Sequence, residues 1–272
     1  MQDVLPRSIV LVGAGQMGGA ILKGWLGFGI SPITITVIEP TPSDNIVSLA
    51  ATHRFTLNPE TISEEAEVVM LATKPQLLDV AAEAIRSTIN SETLVISVLA
   101  GKTISDLKSR LPDTSHFVRA MPNLPASVNR GITAAVASSD VSPEARRLTT
   151  SLLGAIGKVE WLSEERQLDA ATALSGSGPA YVFHLVETLA SAGRQYGLPA
   201  DCAERLARAT IEGAGELLFR SPDSPSTLRQ KVTSPGGTTA AALKVLMDED
   251  GLQSLILRAV GAAKRRAEEL AG

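Results

Sequence analysis

Cysteine is nearly absent. Cys202 is the single one in 272 residues, which excludes an internal disulfide and makes a cytoplasmic setting the expectation. Histidine is scarce as well: three residues, scattered, with no metal-ligand spacing, so no metal site is expected. There is no excess of basic charge. The net charge of −4 argues against a nucleic-acid partner. The longest apolar runs are short and interrupted, so no membrane span is expected. Met1–Arg7 lacks a basic region leading into an apolar stretch, so no secretory signal is expected. Aromatics make up 3% of the chain, which leaves Ala, Leu, Val and Ile to build the core. What is present is ordinary for a soluble protein: 44% hydrophobic and 20% charged residues, in a chain long enough for two domains.

Up to about Leu162, strand and helix signals alternate. Ser8–Val12, Ile33–Ile38, Val68–Ala72, Leu94–Val98 and Phe117–Ala120 read as strands. Gln16–Phe28, Gln76–Thr88 and Ile104–Leu111 read as helices. Gly131–Ala137 and Lys158–Trp161 add edge strands around a helix beginning near Pro143. This alternation predicts an α/β fold, a Rossmann-like doubly wound parallel sheet. After Leu162 the strand signals stop. Ala180–Tyr196, Asp201–Phe219, Thr239–Met247 and Gly251–Leu270 read as helices. In the second of these Ala203, Leu206, Ala207, Thr210, Ile211, Ala214, Leu217 and Leu218 follow helical spacing. Small residues such as Gly213, Ala214, Gly215 and Gly261–Ala263 suit close helix contact or a dimer interface. The expected division is a dinucleotide-binding domain over residues 1–162 and a helical domain over 163–272.

Two runs in the C-terminal half are rich in hydroxyls and glycine: Ala173–Tyr181 and Val232–Thr239. Each is expected to stand just before a helix, where free N–H groups and the helix dipole favour a small anion such as a carboxylate. A third run, Gly13-Ala14-Gly15-Gln16-Met17-Gly18, follows a strand and opens a helix. That is the context in which GxGxxG binds a dinucleotide: Gly13 for the tight turn, Gly15 for close approach of the pyrophosphate, Gly18 for helix–strand packing. Glu39 ends the second strand and suits a ribose hydroxyl, which favours NAD; Thr41 and Ser43 suit a ribose phosphate instead, and the choice stays open. Ala72-Thr73-Lys74-Pro75 and Leu99–Thr103 follow the fourth and fifth strands and should border the cofactor, with Lys74 near a phosphate or simply on the surface.

These pieces together resemble the pyrroline-5-carboxylate reductases. The match runs through Gly13–Gly18, Ala72–Pro75, Ala100-Gly101-Lys102-Thr103-Ile104, Met121–Pro125, Leu174–Tyr181 and Ser234–Thr239, in the family's order over nearly the whole chain. Leu99, Lys102 and Leu124 stand where the family often has Ala, Val and Thr. The resemblance implies reduction of 1-pyrroline-5-carboxylate to L-proline by NADPH or NADH, in a homodimer or a multiple of dimers. It implies a catalytic hydroxyl at Thr172, whose alternative is a bond to a helix carbonyl. It implies a carboxylate loop of Ser234, Gly237, Thr238 and Thr239, with plain helix capping by Ser234 or Thr238 as the other reading. Ser175 and Ser177 shape the substrate cavity or cap the next helix. Gln16, Met17, Ala100, Gly101 and Asn123 join the cofactor site, Asn123 at the nicotinamide end unless it only shapes a turn. His184 reads as a packing or interface residue.

A β-hydroxyacid dehydrogenase has a similar plan but needs a lysine on the long helix after the first domain. No lysine occurs between Lys158 and Lys231. A silent dinucleotide sensor would keep Gly13–Gly18 without needing both hydroxyl-rich runs.

Overall fold

The computed structural model describes residues 5–62 and 65–271. Met1–Val4, the start of the segment read for a leader, lie outside them. The chain forms two compact units: residues up to Gly176 together with those from Lys264 on, and residues Ser177–Ala263.

The first unit is built on one eight-stranded sheet. In chain order its elements are β1 (Ile9–Val12), α1 (Gln16–Phe28), β2 (Ile35–Ile38), α2 (Asp44–His53), β3 (Thr56–Leu57) and β4 (Val68–Leu71). There follow α3 (Leu78–Ile85), β5 (Leu94–Ser97), α4 (Ile104–Arg110), β6 (Phe117–Met121), β7 (Gly131–Ala137), α5 (Pro143–Gly154), β8 (Gly157–Trp161) and α6 (Gln167–Ala171). The strands lie in the order β3-β2-β1-β4-β5-β6-β7-β8. Successive residues of β1 point to opposite faces. Ile9 and Leu11 pack with Ile21, Leu22 and Trp25 of α1 and Leu152 of α5, whereas Val10 and Val12 pack with Leu78 and Ile85 of α3 and Leu107 of α4. Burial on both faces explains why these strands read as continuous apolar runs. Every buried side-chain nitrogen and oxygen among the described residues has a partner.

The doubly wound α/β architecture is as expected, with differences of detail. β7 runs antiparallel to β6. The connection between them is a short 3₁₀ turn, Leu124–Val128, with no room for the helical crossover that a parallel pair needs. Ile33 and Thr34 belong to a 3₁₀ turn before β2, and only Leu78–Ile85 of the expected Gln76–Thr88 helix is α-helical, between 3₁₀ turns. α2, β3 and α6 are additions to the sequence reading.

The second unit holds α7 (Gly178–Gln195), α8 (Ala200–Arg220), α9 (Pro225–Lys231), α10 (Thr238–Leu246) and most of α11 (Leu252–Ala271). No described residue after Trp161 is in a strand. α7 packs on α8 through small residues: Ala190, Ala203 and Ala207 are the buried apolar side chains of this unit. No helix among the described residues is long and apolar enough to cross a membrane. Cys202 is free and half-buried.

Candidate functional site

β1, β2, β4, β5 and β6 are mutually parallel, so their C-terminal ends share one edge of the sheet. The chain leaves β1 for β2 on one side and later returns to β4 on the other. Ligands of open α/β sheets bind at such a switch point. The loops Gly13–Gly18, Ala72–Pro75 and Ala100–Gly101, with Asn123, all follow strands ending there.

The fingerprint has the shape its chemistry needs. Gly13 sits at φ 93°, and a Cβ there would lie 2.7 Å from the Ala72 carbonyl oxygen. A Cβ on Gly18 would reach to 2.0 Å from the Gly13 oxygen. Gly15 differs: nothing lies within 4 Å of a Cβ built on it. The structural glycines are filled by backbone, and Gly15 opens a cradle. Gly15 is also the N-cap of α1 and provides no side-chain cap. The first helical bond runs from Gly19 N to Gly15 O at 2.7 Å, so the N–H groups of Gln16, Met17 and Gly18 lie ahead of it. An open cradle facing uncapped N–H groups at the positive end of a 13-residue helix fits a pyrophosphate.

Glu39 stands beside this cradle. Its carboxylate accepts from Ala14 N at 2.8 Å and from Thr41 N at 3.2 Å. Asn58, at φ 47°, clamps the Glu39 backbone from both sides, donating to its carbonyl at 2.7 Å and accepting from its N–H at 2.8 Å. Lys74 is exposed and opens the turn Pro75–Leu77. Thr73 is half-buried beside it. Ala100 is exposed, and Gly101 takes φ 70° in the loop after β5.

The first hydroxyl-rich run stands before a helix, as expected, and is itself helical. Thr172–Gly176 forms a π-helical turn continuous with α6, and α7 starts at Gly178. The hydroxyls themselves carry the chain through. Thr172 Oγ1 donates to the Leu168 carbonyl at 2.7 Å, and Ser175 Oγ donates to that of Ala171 at 2.9 Å. Ser177 is the N-cap of α7 and makes no side-chain cap bond. Asn123 ties this turn to the sheet. Its Nδ2 donates to the Ser175 carbonyl at 3.1 Å, and its Oδ1 accepts from Ile132 N at 3.0 Å. Asn123, Thr172 and Ser175 are therefore brought together, with the Asn123 amide spent largely on the fold.

Sequence reasoning missed a second brace. Arg119 is 5% exposed and donates to Glu165 at 2.6 Å, while Glu165 also accepts from Ile104 N at 2.8 Å. The pair joins β6, the start of α4 and the segment that leads to α6. An arginine within the apolar strand Phe117–Met121 was the signal for it.

In the second unit, Ser234–Thr239 leads into α10, whose N-cap is Gly237 with no side-chain cap. Neither Ser234 nor Thr238 caps the helix, so that alternative falls away. A Cβ on Gly237 would sit 2.6 Å from Ser234 Oγ; its absence lets the serine hydroxyl lie against the helix start. Gly236 takes φ 70°. The first helical bond is from Ala241 N to Gly237 O, which leaves the N–H groups of Thr238, Thr239 and Ala240 ahead of it. Lys231 is committed to Asp223 at 2.5 Å, and its ammonium is the first cause holding the Asp223 carboxyl below the ordinary value. What this loop itself presents is backbone N–H groups at a helix start and the hydroxyls of Ser234, Thr238 and Thr239. His184 is exposed and lies 3.0 Å from Glu187, so it packs into no core within the chain.

Known proteins are similar to this chain along nearly its whole length. A family model described as pyrroline-5-carboxylate reductase dimerisation matches residues 165–270, and one described as NADP oxidoreductase, coenzyme F420-dependent, matches residues 8–101. The pyrroline-5-carboxylate reductase of Pasteurella multocida is 36% identical over 97% of this chain and 98% of its own length. A solved pyrroline-5-carboxylate reductase from Coxiella burnetii superposes with a TM-score of 0.91 at 35% identity, covering 98% of this chain and 99% of that one. The Plasmodium falciparum pyrroline carboxylate reductase, solved with NADP bound, gives a TM-score of 0.79 at 25% identity over 97% and 98% of the two chains.

Proposed function

We propose that this chain, which belongs to the pyrroline-5-carboxylate reductase family, reduces 1-pyrroline-5-carboxylate to L-proline, the last step of proline biosynthesis. The observation that carries the reading is likeness along the full length: 36% identity over 97% of the chain spans the dinucleotide fingerprint and both hydroxyl-rich segments.

A reduced nicotinamide dinucleotide, when bound, supplies the hydride. The chain's residues bind, orient and hold protons. Gly13, Gly15, Gln16, Met17 and Gly18 take the pyrophosphate on the N-terminus of α1. Ala72, Thr73, Lys74 and Pro75, with Ala100 and Gly101, border the cofactor, and Asn123 lies toward the nicotinamide end. The substrate is a cyclic imine. Once its nitrogen is protonated, the C=N carbon is a strong electrophile, and neither a metal nor a potent acid is required. Hydride adds to that carbon, the C=N π pair moves onto nitrogen, and a neutral ring amine results. Thr172 Oγ1 directs its proton to Leu168, which leaves its lone pairs to accept from the iminium N–H. The hydroxyl thus orients the charged ring. Ser175 shapes the cavity. Ser234, Gly237, Thr238 and Thr239 hold the carboxylate with hydroxyls and the N–H groups of α10.

In this reading residues 1–162 form the dinucleotide domain and residues 163–272 the helical substrate and dimerisation domain. The assembly is a homodimer or a multiple of dimers in the cytoplasm, with a small-molecule substrate and no nucleic-acid or membrane partner.

Oxidation of NADH and NADPH, followed side by side with pyrroline-5-carboxylate, tests the reaction; no proline formation with either overturns it. Two variants test the assignments. Thr172→Val is expected to lower turnover ~10-fold or more without altering dinucleotide affinity. Thr239→Val is expected to weaken proline binding roughly 10- to 150-fold, the effect of about 1.5–3 kcal/mol for a hydrogen bond to a charged group. Unchanged turnover removes Thr172 from the chemistry. Loss of dinucleotide binding in place of proline binding moves Ser234–Thr239 to the cofactor site.

A further inference from the structure

We infer that this chain is selective for NADH over NADPH and that Glu39 decides the choice; this rests on the dinucleotide reading above. Sequence alone left two possibilities, a ribose hydroxyl on Glu39 or a ribose phosphate on Thr41 and Ser43. The geometry separates them.

Glu39 is held in place by the fingerprint itself. Its Oε2 accepts from Ala14 N at 2.8 Å, within the Gly13–Gly18 turn, and Gly13 N donates to the Ile38 carbonyl at 2.8 Å. The carboxylate therefore sits on the rim of the cradle, at the end of β2, where an acidic side chain meets the adenosine ribose in this fold. Asn58 grips the Glu39 peptide through both its N–H and its carbonyl. A carboxylate fixed by backbone donors on one side and by a clamped backbone on the other cannot swing away cheaply from an incoming phosphate.

Of the alternative ligands, Thr41 is turned toward Glu39 and Ser43 stands beside a second carboxylate. Thr41 turns its N–H, at 3.2 Å, and its hydroxyl, at 3.5 Å, toward Glu39 Oε1. Ser43 is the N-cap of α2, but Asp44 occupies the first turn of that helix, so a phosphate there would meet a second carboxylate. No Lys, Arg or His lies between Glu39 and His53 in sequence, and no ion pair among the described residues includes Glu39. A 2′-phosphate would face the like charge of Glu39, on a segment that carries no basic residue before His53. A 2′-hydroxyl is a donor, and the carboxylate has lone pairs left to accept it.

Equilibrium binding to the protein without substrate tests this apart from the reaction. NADH should bind roughly ten-fold or more tightly than NADPH, the scale on which like-charge juxtaposition discriminates ligands. AMP should likewise outcompete adenosine 2′,5′-bisphosphate for bound NADH. Glu39→Gln removes the charge and keeps an acceptor for Ala14 N; it should narrow the ratio several-fold, mostly by tighter NADPH. NADPH binding as well as NADH, or a ratio unmoved by Glu39→Gln, overturns the inference and leaves the oxidoreductase reading standing. Binding of neither dinucleotide overturns both. The AMP pair uses the unaltered chain, so the result does not depend on how well the variant folds.

Discussion

The two units differ in where they put their apolar side chains. In the first, both faces of the sheet are covered, and Leu11, Trp25, Met70 and Ile96 are fully buried. In the second, only Ala190, Ala203 and Ala207 are buried, while Leu206, Leu217 and Leu255 are each more than half exposed. Phe183, Leu218 and Val245 share that exposure. A doubly wound sheet is covered on both faces by its own helices. A set of Ala- and Gly-rich helices brings backbones close but leaves its larger side chains outward, and a surface of that kind needs a second apolar surface to cover it. The match of this region to a dimerisation model is what such a surface predicts. Apolar residues thus fold the first unit, whereas in the second most of the large ones stay on the surface.

A matched pair of substitutions breaks the comparison if it is wrong. Trp25 is fully buried, and its indole N–H donates to the Leu152 carbonyl at 2.9 Å. Trp25→Ala should cost ~3–5 kcal/mol of stability, from the cavity and the orphaned carbonyl, in urea denaturation. Leu217→Asp should act on association. Losing the burial of one large side chain is worth ~1.5–3 kcal/mol, or roughly 10- to 150-fold in the dissociation constant. Light scattering across a dilution series should show Leu217→Asp falling to monomer first. A Leu217→Asp protein that keeps its assembly while losing as much stability as Trp25→Ala would mean that this face is covered within the chain.

The same contrast explains which parts of the molecule were legible in the sequence. The strands of the first unit are apolar and β-branched because both faces are buried, and that pattern identifies them directly. α2 buries only Ile46, and α9 buries nothing, so neither carries a stripe for periodicity to find. The π turn is rich in Ser and Gly, residues that favour turns, so its composition does not announce a helix. It stays helical through the back-bonds of Thr172 and Ser175 and through Asn123, which reaches Ser175 from 52 positions away. Asn58, 19 positions from Glu39, was hidden for the same reason. Fingerprint glycines and hydroxyl-rich runs are local signals. The residues that hold them in register are tertiary, and local patterns do not contain them.

A sharper version of the comparison lies within the fingerprint. Gly18→Ala must push a methyl into the Gly13 carbonyl, 2.0 Å from the built Cβ, and should destabilise the first unit by ~1–3 kcal/mol, the range for overpacking. Gly15→Ala meets nothing within 4 Å and should leave stability within about 1 kcal/mol while reducing dinucleotide affinity ~10-fold or more by filling the cradle. Calorimetric titration with NADH beside urea denaturation separates the two. Equal losses of stability would remove the distinction between packing glycine and ligand glycine.

The smallest expected effect concerns α4, whose start borders the same edge of the sheet. Thr103 and Asp106 form a capping box: Thr103 Oγ1 accepts from Asp106 N at 3.1 Å, and Asp106 Oδ2 accepts from Thr103 N at 2.8 Å. Burial pushes the Asp106 carboxyl upward, but the backbone N–H and hydroxyl of Thr103, then Lys102 and Arg110, outweigh it and hold the group below its ordinary 3.8. A carboxylate whose folded value is depressed stabilises the fold above its unfolded value and loses that contribution as pH falls through the folded one. Asp106→Asn keeps an acceptor for Thr103 N but removes the charge facing the helix dipole and Arg110. It should cost ~0.5–1 kcal/mol at neutral pH, on the scale of a cap or a first-turn charge. The gap between wild type and variant should then close as the pH drops below 3.8, because the wild-type carboxyl becomes neutral as well. Urea midpoints taken at neutral pH and at about pH 3 measure both quantities. A gap that persists undiminished in acid would mean that Asp106 acts through shape and hydrogen bonding alone, and that its charge contributes nothing to the edge on which the dinucleotide loops are mounted.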